Sequence, residues 1–515
     1  MYKKVILIII ISIVISPIMS QVLDKIIFSG NKHFPDALLL SLIKMRWQSE
    51  LNQKQLKIDC KSILSFYQEK GYIDVSCEYH IEQDSINNLT NLKFIIVEGD
   101  LYHFGDIDIS GLDKVSKNYV LQIINFKSGD IFSKKSIVKS QLCALSTGLF
   151  KDFKVTASEI HFERKMIDVM IEIKEQSKFS IDLGTGINTE DGWNVFSEWK
   201  NRNLNGWGRS ISLNGYLSVD YSNVIYFKKG KGGVNYTEPL LLNFPVNGQI
   251  ELSYLTDKPK YVNFGIERYS MSTIIDYPFG LIYNTYITFK LQKVRLFDVP
   301  FDTDSRNFEK LFRKDNNRFI SFNFIRDTRD NMIDASVGSY LAITSEKAGG
   351  FLGGDNSYYK FYFLYNMYIP LYRKIILANK ITSGILEALD SPTALPSYLR
   401  FFLGGSGSIR GYSERSLGPK NPIDGSSLGG NFLFVYNLEL RYYINYNISI
   451  IGFFDTGELS KERENAKFHS LYYSAGPGIR IRTKFGIFRV DYGVKLNNFT
   501  FNDLGKIHIA FGQSF

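Results

Sequence analysis

The 515-residue sequence predicts two small α+β modules followed by an all-β transmembrane barrel of about 16 antiparallel strands. A similar order of strands and helices occurs twice before residue 176, whereas later residues alternate between apolar and polar side chains. Aromatic residues make up 15% of the chain. This content is typical of the aromatic girdles of membrane barrels and excludes a disordered or collagen-like chain.

The first 20 residues are expected to be a signal peptide. Lys3 and Lys4 precede an apolar run at residues 5–15, and Ser20 supplies a small residue at a plausible cleavage point. The run is too short to span a membrane as a helix. The mean hydropathy of −0.11 also argues against a polytopic helical membrane protein. We therefore expect an exported protein.

The net charge of +9 does not by itself indicate a nucleic-acid partner. The basic residues cluster at Lys228, Lys229 and Lys231, and we interpret them as solvated loop residues beside an anionic lipid surface. Three cysteines are too few for a scaffold held together by disulfides.

The first module is predicted to occupy residues 21–99. Its second helix carries Leu56, Cys60 and Ile63 on one face, at spacings of three and four residues. The predicted elements are strand Asp24–Phe28, helix Pro35–Leu42, helix Gln53–Gln68, strand Ile73–Ile81 and strand Leu92–Val97.

The second module, residues 100–176, repeats this order. Gly111 follows its first strand as Gly30 follows the first strand of the earlier copy. Repeats of roughly 80 residues indicate small tandem domains with modest cores, so we expect them to present surfaces rather than enclose a cavity. The predicted elements are strand Phe104–Ile109, helix Ser116–Ile124, helix Ser133–Thr147, strand Lys154–Phe162 and strand Met166–Lys174.

Cys60 and Cys77 are expected to lie at similar heights in the core of the first module. Cys60 lies on the second helix and Cys77 on the strand that follows it, and both point toward the shared core. The sequence leaves open whether they are two buried thiols or a disulfide of an oxidising compartment.

Residues 177–515 are predicted to form the barrel. Apolar and polar side chains alternate, for example along residues 432–442 and 507–515, in runs separated by Gly, Asn and Asp. An open sheet in a bilayer would leave unpaired backbone amides in hydrocarbon, so such strands must close. At about 21 residues per strand and connection, this length gives about 16 strands. Phe515 ends the chain on the apolar face, as expected of a closing strand.

The most informative segment is GGSGSIRGY at residues 404–412. No Gly-Lys-Ser/Thr follows and no helix is predicted to begin here, which argues against a phosphate-binding loop. The segment resembles the Arg-Gly-Phe/Tyr signature in the sixth extracellular loop of the outer-membrane assembly and two-partner secretion superfamily. Further segments resemble motifs of that superfamily in its own order: residues 202–208, 236–240, 326–330, 452–457 and 489–493.

The two modules resemble POTRA domains, and the whole chain is similar to BamA/TamA-type outer-membrane assembly factors. The chain carries fewer modules than is typical of either group, which leaves the subgroup open. The resemblance implies POTRA modules in the periplasm and a barrel in the outer membrane of a Gram-negative-type bacterium.

In this superfamily the loop folds back into the barrel and its arginine docks on the inner wall. The resemblance implies that Arg410, followed by Gly411 and Tyr412, meets Glu439 and Asp455. Glu439 lies in the polar phase of its strand, and a guanidinium can bond two carboxylates at fixed angles. The alternative is a solvent-facing Arg410 above two acids that line a wet lumen.

We predict no catalytic residues, no cofactor and no metal site, and therefore no enzyme. The six histidines are scattered without metal-ligand spacing, and the sequence contains no nucleophile elbow or zinc-protease motif. The expected function is the assembly and insertion of outer-membrane proteins, which is mechanical work.

A lateral seam is predicted between the first and last barrel strands. The first strand, Lys178–Asn188, contains Gly184 and Gly186, which weaken strand packing, and the last contains Phe511 and Phe515. A weak seam would open a sheet edge at which a client strand pairs by β-augmentation.

The predicted partners are unfolded outer-membrane protein clients and the lipid bilayer, with periplasmic or lipoprotein accessory subunits as further candidates. The alternative function is a two-partner-type secretion pore. Such pores usually carry a plug helix and a Pro-rich linker before the first module, whereas this module begins at about Val22, directly after the signal. A passive diffusion porin would leave the modules and the Arg-Gly-Tyr loop unexplained.

Overall fold

The computed structural model describes residues 23–47, 51–84, 89–189, 191–220, 226–244, 246–259, 264–279, 282–297, 314–390, 395–422, 425–466, 471–484, 486–497 and 504–511. The chain divides into two compact units, Met1–Gln176 and Ser177–Phe515. The expected signal peptide lies outside the described residues. No helix among the described residues is long and apolar enough to span a membrane.

The first unit contains two modules with the same topology. Each has a three-stranded sheet whose central strand is the last of the module, with the first strand parallel and the middle strand antiparallel to it. Every element predicted for the modules is present, with ends displaced by a few residues. The elements are β1 (Leu23–Ser29), α1 (Asp36–Leu42), α2 (Gln53–Glu69), β2 (Ser76–Asp84), β3 (Leu89–Val97), β4 (His103–Ser110), α3 (Lys117–Ile123), α4 (Lys134–Ser146), β5 (Phe150–His161) and β6 (Met166–Glu175).

Helix α2 begins where its sequence provides a cap and packs through the face that its spacing predicts. The Asn52 side chain accepts hydrogen bonds from the backbone N–H groups of Lys54 and Gln55, which satisfies donors that a helix start otherwise leaves unpaired. Leu56 and Ile63 are fully buried in the core of the first module. Burial of this apolar face supplies most of the stability of such a helix.

A glycine after the first strand is required in both modules. Gly30 has a φ of 90° and Gly111 a φ of 83°, a region that residues with a side chain rarely adopt. A Cβ atom would lie 2.0 Å from the carbonyl oxygen of Ile96 at Gly30, and 2.0 Å from that of Ile173 at Gly111. The glycine recurs in the sequence because, in both modules, the backbone after the first strand crosses close to the central strand.

A glutamate at the end of each central strand stabilises this crossing. Glu98 accepts a hydrogen bond of 3.0 Å from the backbone N–H of His33, and Glu175 accepts one of 2.9 Å from that of Lys114. Burial alone would raise the pKa of Glu98, but hydrogen bonds from His33 and Tyr67 hold that pKa below its ordinary value.

The second unit is a closed antiparallel barrel, and its described residues contain sixteen strands, which confirms the predicted number. The strands are β7 (Phe179–Asn188), β8 (Gly192–Leu204), β9 (Arg209–Asp220), β10 (Tyr226–Glu238), β11 (Asn247–Asp257), β12 (Gly265–Phe279), β13 (Tyr283–Phe297), β14 (Asp315–Asp327), β15 (Gly338–Ala348), β16 (Tyr358–Tyr372), β17 (Ile375–Ala388), β18 (Phe432–Tyr443), β19 (Ile448–Ser460), β20 (Tyr472–Thr483), β21 (Gly486–Lys495) and β22 (Gly505–Phe511). Short 3₁₀ turns occur at Leu241–Asn243, Gly350–Leu352, Ser397–Leu399 and Arg463–Asn465.

Strand β14 shows how the alternation is used. Asn317, Ser321 and Asn323 are buried on the inner face, whereas Ile320 and Phe322 are exposed on the outer face. Exposed apolar rows of this kind would be costly in water but match the hydrocarbon of a bilayer.

The connection between β17 and β18, residues 389–431, is called here the long loop. Its residues Leu403 and Ile409 are fully buried and pack with Val435 and Leu459 of the barrel strands in one apolar cluster. The long loop therefore runs into the barrel interior instead of extending from its rim.

The sulfur atoms of Cys60 and Cys77 lie 3.4 Å apart as free thiols. Hydrogen bonding between the two sulfurs lowers the pKa of Cys60 and raises that of Cys77. Cys60 is therefore the sulfur that more readily becomes the thiolate, which is the reactive form of cysteine.

We expect diamide to join Cys60 and Cys77 in a disulfide without unfolding the first module. Two thiols lose two protons and two electrons, and diamide accepts them. Peptide mass spectrometry after alkylation measures the bond, with Cys143→Ser as the control that keeps the pair and Cys60→Ser as the variant that removes it. Full alkylation of both sulfurs after oxidation would contradict this expectation.

Candidate functional site

Arg410 of the long loop docks on two acidic residues of the inner barrel wall. Its Nε donates to Asp455 Oδ2 at 2.8 Å and its Nη2 to Asp455 Oδ1 at 2.7 Å. Its Nη1 donates to Glu439 Oε1 at 2.6 Å, and its backbone N–H donates to Asp455 Oδ2 at 3.0 Å. The structure thus brings together the three residues that the resemblance implied, in the forked geometry that a lysine could not reproduce.

Further charged residues extend this contact into a network of buried ion pairs. Arg441 Nη2 lies 2.9 Å from Glu439 Oε2, and Arg480 Nη1 lies 2.6 Å from Asp491 Oδ1. Asp491 Oδ2 also lies 3.5 Å from Nη1 of Arg410. Three guanidinium groups therefore face three carboxylates, all of them buried, so no member of the network stands without a counter-charge.

The Arg410 guanidinium also lies over an aromatic ring. Its carbon is 3.6 Å from the centroid of the Phe453 ring, within the range of a cation–π contact. Asn437 donates to Asp455 Oδ1 at 2.8 Å and so fills a further lone pair of that carboxylate.

Gly411 allows the long loop to approach the wall of the barrel. Its φ is +88°, and a Cβ atom there would lie 2.7 Å from the carbonyl oxygen of Gly493 on β21. A Cβ atom on Gly493 would in turn lie 2.3 Å from the Gly411 nitrogen. The backbone N–H of Gly411 donates to His508 Nε2 on β22 at 3.0 Å. Two glycines therefore permit a backbone contact that any side chain would block.

Tyr412 anchors the other side of the motif. Its side chain is buried, its hydroxyl donates to the Tyr473 carbonyl oxygen at 3.4 Å, and its ring meets that of Tyr472 edge-on at 6.0 Å between centroids. The Arg-Gly-Tyr motif thus combines an ion pair, a close backbone contact and an aromatic contact.

The seam between β7 and β22 is described only as far as Phe511, since residues 512–515 lie outside the described residues. Within this part it contains the register pair of Ala510 with Asn188 and a hydrogen bond of 3.0 Å from the Thr189 N–H to the Ile509 carbonyl. Residues 181–185 of β7 are exposed.

The predicted seam residues lie on the strands of the seam, but they do not meet each other in the described part of the chain. Gly184 and Gly186 pair with Phe196 and Asn194 of β8, and Phe511 pairs with Phe488 of β21. Phe515 lies outside the described residues.

Arg441, Arg480 and His508 were not identified from the sequence as site residues. In the alternation of its strand, each of the three lies at a polar, inward-facing position, as the acids that they approach also do. This position in the alternation is the signal that could have identified them. Asp491 contributes the longer contact to Arg410.

A second group of titratable residues lies in the second module. His161 Nε2 is 2.8 Å from Asp168 Oδ2, and His161 Nδ1 is 3.9 Å from Glu159 Oε1. The hydrogen bond with Asp168 raises the pKa of His161. The ligand atoms of Glu159, His161 and Asp168 are of the types that bind metal ions, and they lie close together. The sequence did not reveal this group because Asp168 lies on the neighbouring strand. Their exposure is typical of a solvated ion pair.

Comparisons with known proteins match both units. A family model described as the Omp85 superfamily domain matches residues 203–515. A POTRA model, described as a surface antigen variable number repeat, matches residues 22–99 and 102–176.

Two curated relatives and one solved structure illustrate the similarity. Outer membrane protein assembly factor BamA of Nitratidesulfovibrio vulgaris is 24% identical over 515 residues, covering 96% of this chain and 62% of that protein. Sorting and assembly machinery component 50 homolog A of Xenopus laevis is 24% identical over 402 residues, covering 76% of this chain and 81% of that protein. The structure of BamA from Haemophilus ducreyi lacking POTRA domains 1–3 has a TM-score of 0.68 at 18% identity, covering 96% of this chain and all of that one.

Arg410→Ala should release the long loop while the barrel stays folded. Removal of one partner from a buried charge pair costs about 3–5 kcal/mol, and water in the lumen should reduce this cost. We expect new protease sensitivity between Gly404 and Gly430, with unchanged heat-modifiable mobility on a gel. Arg410→Lys should restore only part of the protection, since an ammonium cannot bond both acids at fixed angles.

The matched control is Arg463→Ala, since the Arg463 side chain is 67% exposed and lies 3.8 Å from Glu387. Exposed pairs of this kind contribute little. Equal protease patterns in the two variants would contradict docking of Arg410. Combined Glu439→Gln and Asp455→Asn substitutions should remove most of the further penalty of Arg410→Ala.

Proposed function

Because the chain belongs to the Omp85 superfamily, we propose that it assembles outer-membrane proteins by accepting client β-strands at the seam of its own barrel. A 16-stranded barrel that follows POTRA modules fits an outer-membrane location. The relatives named as assembly factors support the activity, although the chain spans about 62% of the length of the first of them.

The proposal assigns a place and a partner to each part of the chain. Residues 21–99 and 100–176 are the two POTRA modules, which would lie in the periplasm and hold unfolded client barrels and accessory subunits. Residues 177–515 are the barrel, whose outer rows of apolar side chains contact lipid. The work is mechanical, and we assign it no catalytic group.

The closure of the barrel by its first and last strands is the observation that carries the proposal. A strand edge in hydrocarbon leaves backbone N–H and C=O groups unpaired, and each unpaired group costs several kcal/mol. β7 and β22 meet at Asn188 and Ala510, and an opened seam would expose both strand edges to the bilayer. A client strand that pairs with an opened edge regains those hydrogen bonds, which lowers the barrier to its entry into the bilayer.

The docked loop argues against a passive channel. Arg410, Glu439 and Asp455 hold the long loop in the lumen through buried ion pairs, and an occupied lumen leaves less room for free diffusion. In the proposed function, the loop keeps the lumen occupied while exchange takes place at the seam.

A disulfide across the seam tests the proposal. In a background where Cys60, Cys77 and Cys143 are serine, Asn188→Cys and Ala510→Cys place two thiols at the paired positions. We expect insertion of a client barrel into liposomes that contain the oxidised protein to fall to the rate of empty liposomes. Reduction of the disulfide should restore insertion, which is measured as heat-modifiable, protease-protected client.

The matched control is a disulfide between Val490→Cys and Ile509→Cys, which joins β21 to β22 without crossing the seam. This variant should insert clients at the rate of the reduced protein. Full client insertion with the seam closed would contradict the lateral route and favour the alternative, a secretion pore that uses the lumen.

A further inference from the structure

We propose that Lys228 and Glu414 attach the long loop to the N-terminal side of the seam, so that the loop bridges the two sides of the seam. Lys228 is then a positioning residue that sets how readily the seam opens. This inference rests on the proposed function, because a seam that opens is useful only to a protein that admits strands there.

The loop contacts the C-terminal side of the seam through the backbone of Gly411 and the side chain of Ser413. The Gly411 N–H donates to His508 Nε2 at 3.0 Å. The Lys506 ammonium donates to Ser413 Oγ at 3.0 Å. Both partners lie on β22, which is the C-terminal strand of the seam.

The very next residues of the loop contact the N-terminal side. Lys228 Nζ on β10 lies 3.3 Å from Glu414 Oε2 and 3.5 Å from Oδ1 of Asp191, in the connection from β7 to β8. Arg415 Nη2 lies 3.8 Å from Asp257 Oδ2 at the end of β11. Between Ser413 and Glu414, the loop therefore passes from one side of the seam to the other.

The environment of Lys228 makes its contacts costly to lose. Lys228 is 2% exposed, whereas the sequence suggested that the cluster at Lys228, Lys229 and Lys231 lies in solvent. A buried ammonium is tolerated where carboxylates replace its water. Glu414 belongs to the loop and Asp191 to the connection from β7 to β8, so one cation links the loop to the turn that follows the first strand of the barrel.

The two attachments of the loop differ in geometry. Arg410 makes three side-chain bonds of 2.6–2.8 Å to two carboxylates, supported by a backbone bond. Lys228 lies 3.3 and 3.5 Å from two carboxylates, and an ammonium lacks the fork geometry of a guanidinium. Because an ammonium holds its partners less rigidly than a guanidinium fork, we expect the loop to stay with β18 to β22 when β7 is released.

Spin labels on the outer face of the barrel test this inference in the full-length protein. In the cysteine-free background, labels at Leu183→Cys on β7 and Ile507→Cys on β22 report the width of the seam, because both side chains point outward and are exposed. We expect Glu414→Gln to raise the fraction of long interspin distances several-fold in double electron–electron resonance. Lys228→Met should do the same, and the double variant should add little to either change, since both remove one interaction.

The matched control is Lys231→Met, which removes the same charge from the same strand. Lys231 pairs with Glu251 at 3.9 Å, and this contact stays between β10 and β11 without involving the loop. Its distance distribution should equal that of the unmodified chain. Heat-modifiable mobility checks that each barrel is folded. If Lys228→Met fails to fold because it leaves the carboxylates of Glu414 and Asp191 without their cation, Glu414→Gln still tests the inference.

A distance distribution in Glu414→Gln equal to that of the Lys231→Met control overturns the inference. The same measurement separates the inference from the proposed function. A seam that widens in Glu414→Gln, in a protein whose unmodified form inserts no client into liposomes, would leave the loop bridge standing and refute the assembly function.

Discussion

The buried guanidinium of Arg410 is the constraint on which the arrangement of the barrel interior depends. A charge at 4% exposure needs carboxylates in place of water, and Asp455 and Glu439 supply them in the geometry that a guanidinium accepts. Once Arg410 is seated, the positions of Gly411 and Tyr412 follow, because they are its neighbours in sequence. The close contact with Gly493 is therefore a requirement of the ion pair as much as a feature of the loop.

The same loop contacts both sides of the seam. It meets β22 through Gly411 and Ser413, and it meets Lys228 of β10 through Glu414. Each of these contacts involves a side chain, so they can break and reform without disturbing any ladder. The backbone ladders thus close the barrel, whereas the contacts of the loop can adjust at the seam.

Much of this architecture could be predicted because it depends on local periodicity. The helix spacing at Leu56 and Ile63, the glycine after each first strand and the alternation along β14 are all properties of short segments. The contact of Arg410 with Glu439 and Asp455 was accessible through a motif that resembles a known family.

The remaining contacts join residues that are far apart in the sequence, and no short sequence pattern reveals them. Lys228 meets Glu414 across 186 residues, and a lysine in a basic cluster is most simply interpreted as solvated. His161 and Asp168 are close because of strand register, and the length of the seam depends on the register of the whole barrel. The glycines of β7 predicted a weak seam, and this stays a prediction because residues 512–515 lie outside the described residues.

The occupied lumen also has a consequence for the permeability of the membrane. A barrel of about 16 strands is wide enough to enclose an aqueous channel. The apolar cluster of the long loop and the network of buried ion pairs around Arg410 fill part of that space with side chains that are fixed to the wall. Solute flux through each copy is thereby restricted by the long loop itself. A cell can then carry many copies of such a protein and still keep the osmotic and chemical barrier that its outer membrane provides.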